Sequence, residues 1–263
     1  MKFKRFIALS MIFAMLFSVS SYAENAKDIN QLRGKIEKKV RKEYEKDPEF
    51  QMEVRDLGEE VGEKMINQII ESRLKKALNS NVRGGNGSIF YVSVPLIKQN
   101  NYYYCGPANT LQAIYGLGKE DNVSGSSDSD KQYTLGANMG TKPGIGTYVY
   151  KVKNELNKYA EYDYIYEKGS NMTESEFRDN ITYSLMYNYA PILHAKTEYL
   201  SYYNGYSTGH YITVNFINLD SQMVNLQDTN NKTEYYGSHE VPLSEAYNSI
   251  SEPSNRYLIY LPY

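Results

Sequence analysis

The sequence predicts an α+β fold: a helical subdomain packed on an antiparallel sheet, preceded by a helical N-terminal segment. Three observations predict it. Apolar residues recur three and four apart as far as Leu185, the period of helices that bury one face. After Leu185 the chain turns to short β-branched or aromatic runs bounded by turn residues, as strands do. Helices in one block and strands in the next argue for a helical subdomain packed on an antiparallel sheet. No internal repeat is visible.

The first 23 residues stand apart. Lys2, Lys4 and Arg5 make a basic start, Phe6 to Val19 is almost wholly apolar, and Ser21-Tyr22-Ala23 supplies small residues before a cut. This is the pattern of a secretory signal peptide cleaved after Ala23. The apolar run is short for a membrane span, no lipobox cysteine follows it, and no second run of that length occurs. The expectation is a secreted chain without an integral membrane span, extracellular or periplasmic according to the host's envelope.

Residues 24–80 are strongly charged and helical in period. Ile29, Leu32, Ile36 and Val40 form one stripe. Asp47-Pro48 interrupts and restarts, with Asp as N-cap and Pro at the first helical position. Val54, Leu57, Val61, Met65 and Ile69 form a second stripe. Such narrow faces must lie on something, pair with another copy of the chain, or stay partly unfolded. Residues 81–88 are polar and Gly-rich, a linker. The main domain is therefore 89–263.

Within it, "IFYVSVPLI" (Ile89 to Ile97) reads as a strand and Cys105 to Leu117 as a helix after a Gly-Pro start. Glu120 to Asp130 reads as a loop. Gly146 to Tyr159 reads as a helix burying Val149, Val152 and Leu156. Thr173 and Glu176 form a capping box before Phe177, Ile181 and Leu185. "APILHA", "HYITVNFIN", "QMVNLQD" and "RYLIYLPY" read as strands.

A net charge of −2 gives no reason to expect nucleic acid or an anionic membrane as partner. Twenty-eight tyrosines and no tryptophan suit a half-wetted sheet surface or a polymer-binding groove, packing being the plainer reading. Cys105 is the single cysteine, so no internal disulfide forms, and an unpaired thiol in an exported protein is a candidate reactive group.

Nucleophilic cysteine must be thiolate, and a helix N-terminus or a nearby imidazolium lowers its pKa. Cys105 sits at the start of a predicted helix. The chemistry also needs a histidine to move protons, a group that orients it, and an oxyanion donor. His210 follows Gly209 and opens a strand, which would hold it rigidly. His194, inside "PILHAK", suits a structural place in the sheet at least as well, and His239, in the turn "YGSHEV", reads as solvated. Asp228 ends the next strand and returns to the His210 end if the two strands pair as a hairpin. A strand-end Asp is otherwise a turn former. Gln99 lies six residues before Cys105, where its side-chain amide can reach the sulfur. One Cys and three scattered His do not match zinc spacing, and Asp121, Asp128 and Asp130 lack the EF-hand pattern. No cofactor is expected. Asn180-Ile181-Thr182 is a glycosylation triplet in a host that modifies exported proteins.

"VPLIKQNNYYYCGPANTLQAIYGLG" (Val94 to Gly118) resembles the opening of the C39-like peptidase domain, a family of papain-like cysteine peptidase fold. Lys131 to Asn157, then "PILHA", "GHYITVNFIN" and "VNLQDTN", resemble later parts of that domain in the same order, so the likeness spans about Val92 to Tyr263. The resemblance implies Cys105 as nucleophile, His210 as general base and later acid, and Asp228 as its orienter. It implies Gln99 and the Cys105 backbone N–H as oxyanion donors. Two features depart from it: Asp228 is followed by Thr229 where the family has Pro, and no transporter domain accompanies this chain.

The reading is an exported cysteine peptidase or amidase acting on a peptide or protein. Residues 24–85 are a pro-region cut near Arg83-Gly84-Gly85, or a permanent accessory hairpin that can also self-associate. Three alternatives stay open: a transglutaminase-like acyl transferase with the same triad, a non-catalytic peptide- or glycan-binding domain, and an interaction protein acting through its N-terminal helices.

Overall fold

The computed structural model describes residues 28–78 and 88–263. The expected leader (1–23) and the linker with its Arg83-Gly84-Gly85 cut lie outside the described residues.

Three helices open the described chain: α1 (28–44), α2 (Pro48–Leu57) and α3 (Glu59–Leu78). Asp47 caps α2 as expected, its carboxylate accepting the Phe50 N–H at 3.0 Å, with Pro48 behind it. The second apolar stripe is not one helix. Gly58 takes φ 95°, open to a residue without Cβ, and its N–H bonds back to Val54 O. The chain turns there, and Leu57 is left 49% exposed. The apolar faces do lie on something: Val40, Tyr44, Phe50, Met65 and Ile69 belong to the same continuous core as the sheet.

The sheet has seven strands, all paired antiparallel. They are β1 (Ile89–Tyr91), β2 (Ile165–Lys168), β3 (Ile192–Lys196), β4 (Gly209–Asn218), β5 (Met223–Asp228), β6 (Gly237–Pro242) and β7 (Tyr257–Tyr260). Their order is β2-β7-β3-β4-β5-β6, with β1 on the far half of β4. The remaining helices are α4 (Cys105–Gly116), α5 (Asp128–Met139), α6 (Val149–Leu156), α7 (Glu174–Met186) and α8 (Leu243–Ser251). α4 packs on β4, α5 and α6, while α7 and α8 pack on the strands between them. Val149, Val152 and Leu156 are fully buried, and the Thr173–Glu176 capping box is formed.

Several expectations need correcting. The strand expected over 89–97 stops at Tyr91. Pro95 has no N–H for a ladder, and 92–97 run as a strap pinned where Gln112 Nε2 donates to Pro95 O at 3.0 Å. The expected loop 120–130 already contains the start of α5. Ser127 caps it, and Asp128 and Asp130 lie in its first turn, where the helix dipole favours them. β2 and β6 were not foreseen, being short runs broken by charged or small residues. Asn180 is buried on α7 and accepts a hydrogen bond from Lys76, so it offers no glycan acceptor on the surface.

Candidate active site

α4 begins at Cys105, and its N-cap Tyr104 makes no side-chain cap bond. First-turn N–H groups therefore stay available, and the N–H of Gly106, together with that of Tyr211 on β4, donates to the sulfur. Pro107 costs the helix nothing in its first turn. Gly106 is required by close approach: a Cβ there would lie 2.5 Å from Thr147 Oγ1. Asn109, fully buried one turn on, locks α4 to the sheet. Its Nδ2 donates to Tyr211 O at 2.7 Å and Thr229 Oγ1 at 2.9 Å, and its Oδ1 accepts from Thr213 at 2.8 Å. The sulfur is enclosed by protein, yet Cys105 keeps part of its surface open to solvent.

β4 and β5 pair with Thr213 opposite Gln227, so the start of β4 and the end of β5 meet at one edge. His210 Nε2 lies 2.8 Å from Asp228 Oδ1, both side chains being buried. That leaves Nδ1 for the thiol, to which the ring is hydrogen-bonded. Asp228 is held on every side. Tyr202 and Tyr203 donate to Oδ2 at 2.9 and 2.8 Å, and the Asn230 N–H donates to Oδ1 at 2.9 Å. None of these three was singled out from the sequence. The Asp-x-Asn spacing of an Asx-turn was the available signal for Asn230. Nothing comparable marks two tyrosines in a tyrosine-rich loop.

The charges in this group reinforce one another. Burial alone would raise the Asp228 carboxyl, but the His210 charge and the surrounding donors hold it below its ordinary range. Burial would lower His210, yet the adjacent Asp228 carboxylate outweighs this and pushes it up to about 10. Burial would raise the Cys105 thiol, but the hydrogen bond and charge of His210, with the Tyr211 and Gly106 N–H groups, bring it below its usual value. Each charge of the Cys105–His210 pair thus favours the other.

Gln99 is buried beside the same strand end, its N–H donating to Thr229 O at 2.7 Å. Its side-chain Nε2 donates to Asn101 O at 2.7 Å, so one of its two protons serves the turn before α4. His194 sits on β3, stacked on Tyr211. Burial and the neighbouring Arg256 push it down to about 3, keeping it neutral. His239 is not solvated in a turn. It lies on β6, stacked at 3.8 Å on Tyr202, with Nε2 at 2.9 Å from Tyr235 O. Asp128 and Asp130 are engaged with Tyr115 and Ser126, and no group of three or more His, Cys, Asp or Glu positioned for a metal occurs among the described residues. No described helix is long and apolar enough to cross a membrane.

No family model matches this chain, and no curated protein matches it. Among solved structures it is similar to a fragment of prointerpain A from Prevotella intermedia. The likeness has a TM-score of 0.44 and 12% identity, and covers 74% of this chain and 82% of that one. At that level of superposition no residue's role passes from that protein to this one.

Proposed function

We propose that this protein is a thiol hydrolase of papain-like fold, a peptidase or amidase acting through Cys105, His210 and Asp228. The observation that carries the reading is His210 bonded on one side to a buried carboxylate and on the other to a thiol at a helix N-terminus. The C39-like motif around Cys105 is its sequence support.

In this reading Cys105 Sγ attacks the scissile carbonyl carbon, and the carbonyl oxygen takes the electron pair. The Cys105 backbone N–H and the second Gln99 Nε2 proton stabilise that oxyanion. As the C–N bond breaks, His210 passes its Nδ1 proton to the leaving nitrogen, leaving a thioester. His210, now neutral, takes a proton from water, whose oxygen attacks the thioester. The acid leaves and the thiolate–imidazolium pair returns. Asp228 orients the ring throughout.

Residues 28–78 are, in this reading, a permanent part of the enzyme rather than a pro-region. Three contacts support this. Lys153 and Glu53 form a buried ion pair at 2.6 Å, Tyr44 OH donates to Tyr166 O at 2.8 Å, and Tyr257 OH donates to Asp47 Oδ2 at 3.0 Å. Release would leave these groups unpaired. The segment at 1–23 supports export. The test of the activity is labelling of Cys105 by an epoxide thiol probe, together with hydrolysis of fluorogenic peptides, in the natural sequence, Cys105→Ala and His210→Ala. Labelling no faster than a free thiol, unchanged by His210→Ala, overturns the hydrolase reading.

A further inference from the structure

Beside the site is a cationic patch that the mechanism leaves unused. Arg256 immediately precedes β7, and its guanidinium lies over the backbone of Gly209. A Cβ at Gly209 would lie 2.8 Å from Arg256 Nη2 and 3.7 Å from His194 Nε2. Gly209 is exposed and directly precedes His210, while Arg256 and His194 are half-buried. Their polar atoms are incompletely satisfied. Arg256 donates through Nη1 to the adjacent Asn255 O, but its Nε is buried without a partner. Arg256 forms no ion pair among the described residues; the ionisable groups facing it are Tyr211, Tyr257 and His194, none anionic at neutral pH. His194 Nδ1 is likewise buried without a partner.

A desolvated guanidinium without a counter-ion is costly, and its forked donors match a carboxylate. Tyr211 ties the patch to the nucleophile: its ring stacks on His194 at 4.6 Å, and its N–H donates to the Cys105 sulfur. The patch thus borders the site at the first residue of β4, on the sheet face shared by Gly209, Tyr211 and His194 and opposite to the His210 ring. His210 is the group that protonates the departing amine, and it stands at the same end of β4, so the leaving part of the substrate passes over this strand end.

We propose that Arg256, with His194, forms a carboxylate-binding subsite for the leaving-group side of the substrate. The substrate class is then a peptide or amide whose departing portion carries an acidic group; this rests on the hydrolase reading above. The carboxylate comes from an Asp or Glu side chain, or from a free chain terminus. Arg256 supplies the charge and the fork, and neutral His194 supplies a ring N–H.

The test uses the full chain and a diverse peptide library, prepared once with free and once with amidated C-termini, with the cleavage products sequenced by mass spectrometry. Asp and Glu enriched in the first two positions after the cut indicate the side-chain source. Cuts close to the end of free-terminus peptides only indicate the terminal source. In either case Arg256→Gln should lower the preference for acid over matched amide by about tenfold to a hundredfold, and Arg256→Lys should keep part of it. Cleavage with no acidic preference, or with one that Arg256→Gln leaves intact, overturns the subsite and leaves the hydrolase standing. No Cys105-dependent cleavage by the natural sequence overturns the hydrolase, and the subsite with it. Near-ultraviolet circular dichroism of each variant shows that a lost preference is not lost folding.

Discussion

Replacing Asp228 by Asn removes a charge while keeping the shape. The amide oxygen can still accept from His210 Nε2, so ring orientation is nearly conserved. What disappears is the attraction between carboxylate and imidazolium, now 2.8 Å apart at their nearest atoms. Charge centres about 4 Å apart at an effective dielectric of about 20 attract by about 4 kcal/mol. At about 1.4 kcal/mol per unit, that is about three units of pKa. His210 stands at about 10 despite its burial. In Asp228→Asn it should fall to about 7 or below, with burial unopposed. The thiolate then lacks its cation at neutral pH, and each unit of rise in the thiol pKa cuts the thiolate about tenfold. The assay is the rate of Cys105 alkylation by iodoacetamide from pH 4 to 11, which needs no substrate. Asp228→Asn should react at least about tenfold more slowly at pH 6.5 and converge with the natural sequence above pH 10. Profiles that coincide across the range would refute a site poised by the Asp228 charge.

Two further substitutions separate charge from scaffold. Tyr203→Phe leaves Asp228 charged, with Tyr202, His210 and the Asn230 N–H still in place, but deprives Asn230 Nδ2 of its acceptor. It should lose about 1–3 kcal/mol in urea unfolding and move the alkylation profile far less than Asp228→Asn; an equal shift would sink the distinction. Lys153→Met strands Glu53, fully buried on α2, with only Tyr166 OH at 3.0 Å and Asn154 Nδ2 at 3.1 Å. Breaking such a pair costs about 3–5 kcal/mol, or about 6–20 °C in thermal midpoint, and adding Glu53→Gln should recover most of it. A drop under about 2 °C by circular dichroism would mean that α2 is not gripped there.

The candidate site was legible in the sequence because each of its residues belongs to a short local motif. Cys105 before Gly-Pro marks a helix start, Gly209-His210 marks a strand start, and an antiparallel hairpin needs only its register to return Asp228 to His210. The residues that hold Asp228 could not be read this way. Tyr202 and Tyr203 reach it from a 3₁₀ turn whose place is set by tertiary packing. His239 was misread because a strand of six residues with Gly, Ser, His, Glu and Pro has no period-2 apolar signature; pairing with β5 makes it a strand. α5 was missed because its start is a run of Ser and Asp, which serves loops and N-caps alike. The Gly58 break within an unbroken apolar stripe shows the converse: periodicity reports the buried face, not the continuity of the helix.

The docking of α2 carries its own pH dependence, and its sign bears on whether acid could release the segment. Glu49, in the first turn of α2, reaches the start of α6, its Oε2 accepting the Tyr150 N–H at 3.3 Å. Burial outweighs the N–H groups of Tyr150 and Val149 and, with Asp47 nearby, raises it to about 7. Between its unfolded value of 4.5 and about 7 the folded chain therefore binds more protons than the unfolded one, and stability falls as pH rises. About 2.5 units correspond to about 3 kcal/mol. The whole-protein curve does not isolate this. His194, depressed to about 3, makes stability rise with pH up to its unfolded value of 6.5. His210, raised to about 10, makes it fall above 6.5. The difference between Glu49→Gln and the natural sequence cancels both histidines. In urea unfolding it should be constant below pH 4.5, move in favour of the variant from there to pH 7, and level off about 3 kcal/mol higher. A difference independent of pH would place Glu49 in solvent. If the rise is found, acid tightens this contact, and a fall in pH is the wrong trigger for removing residues 28–78.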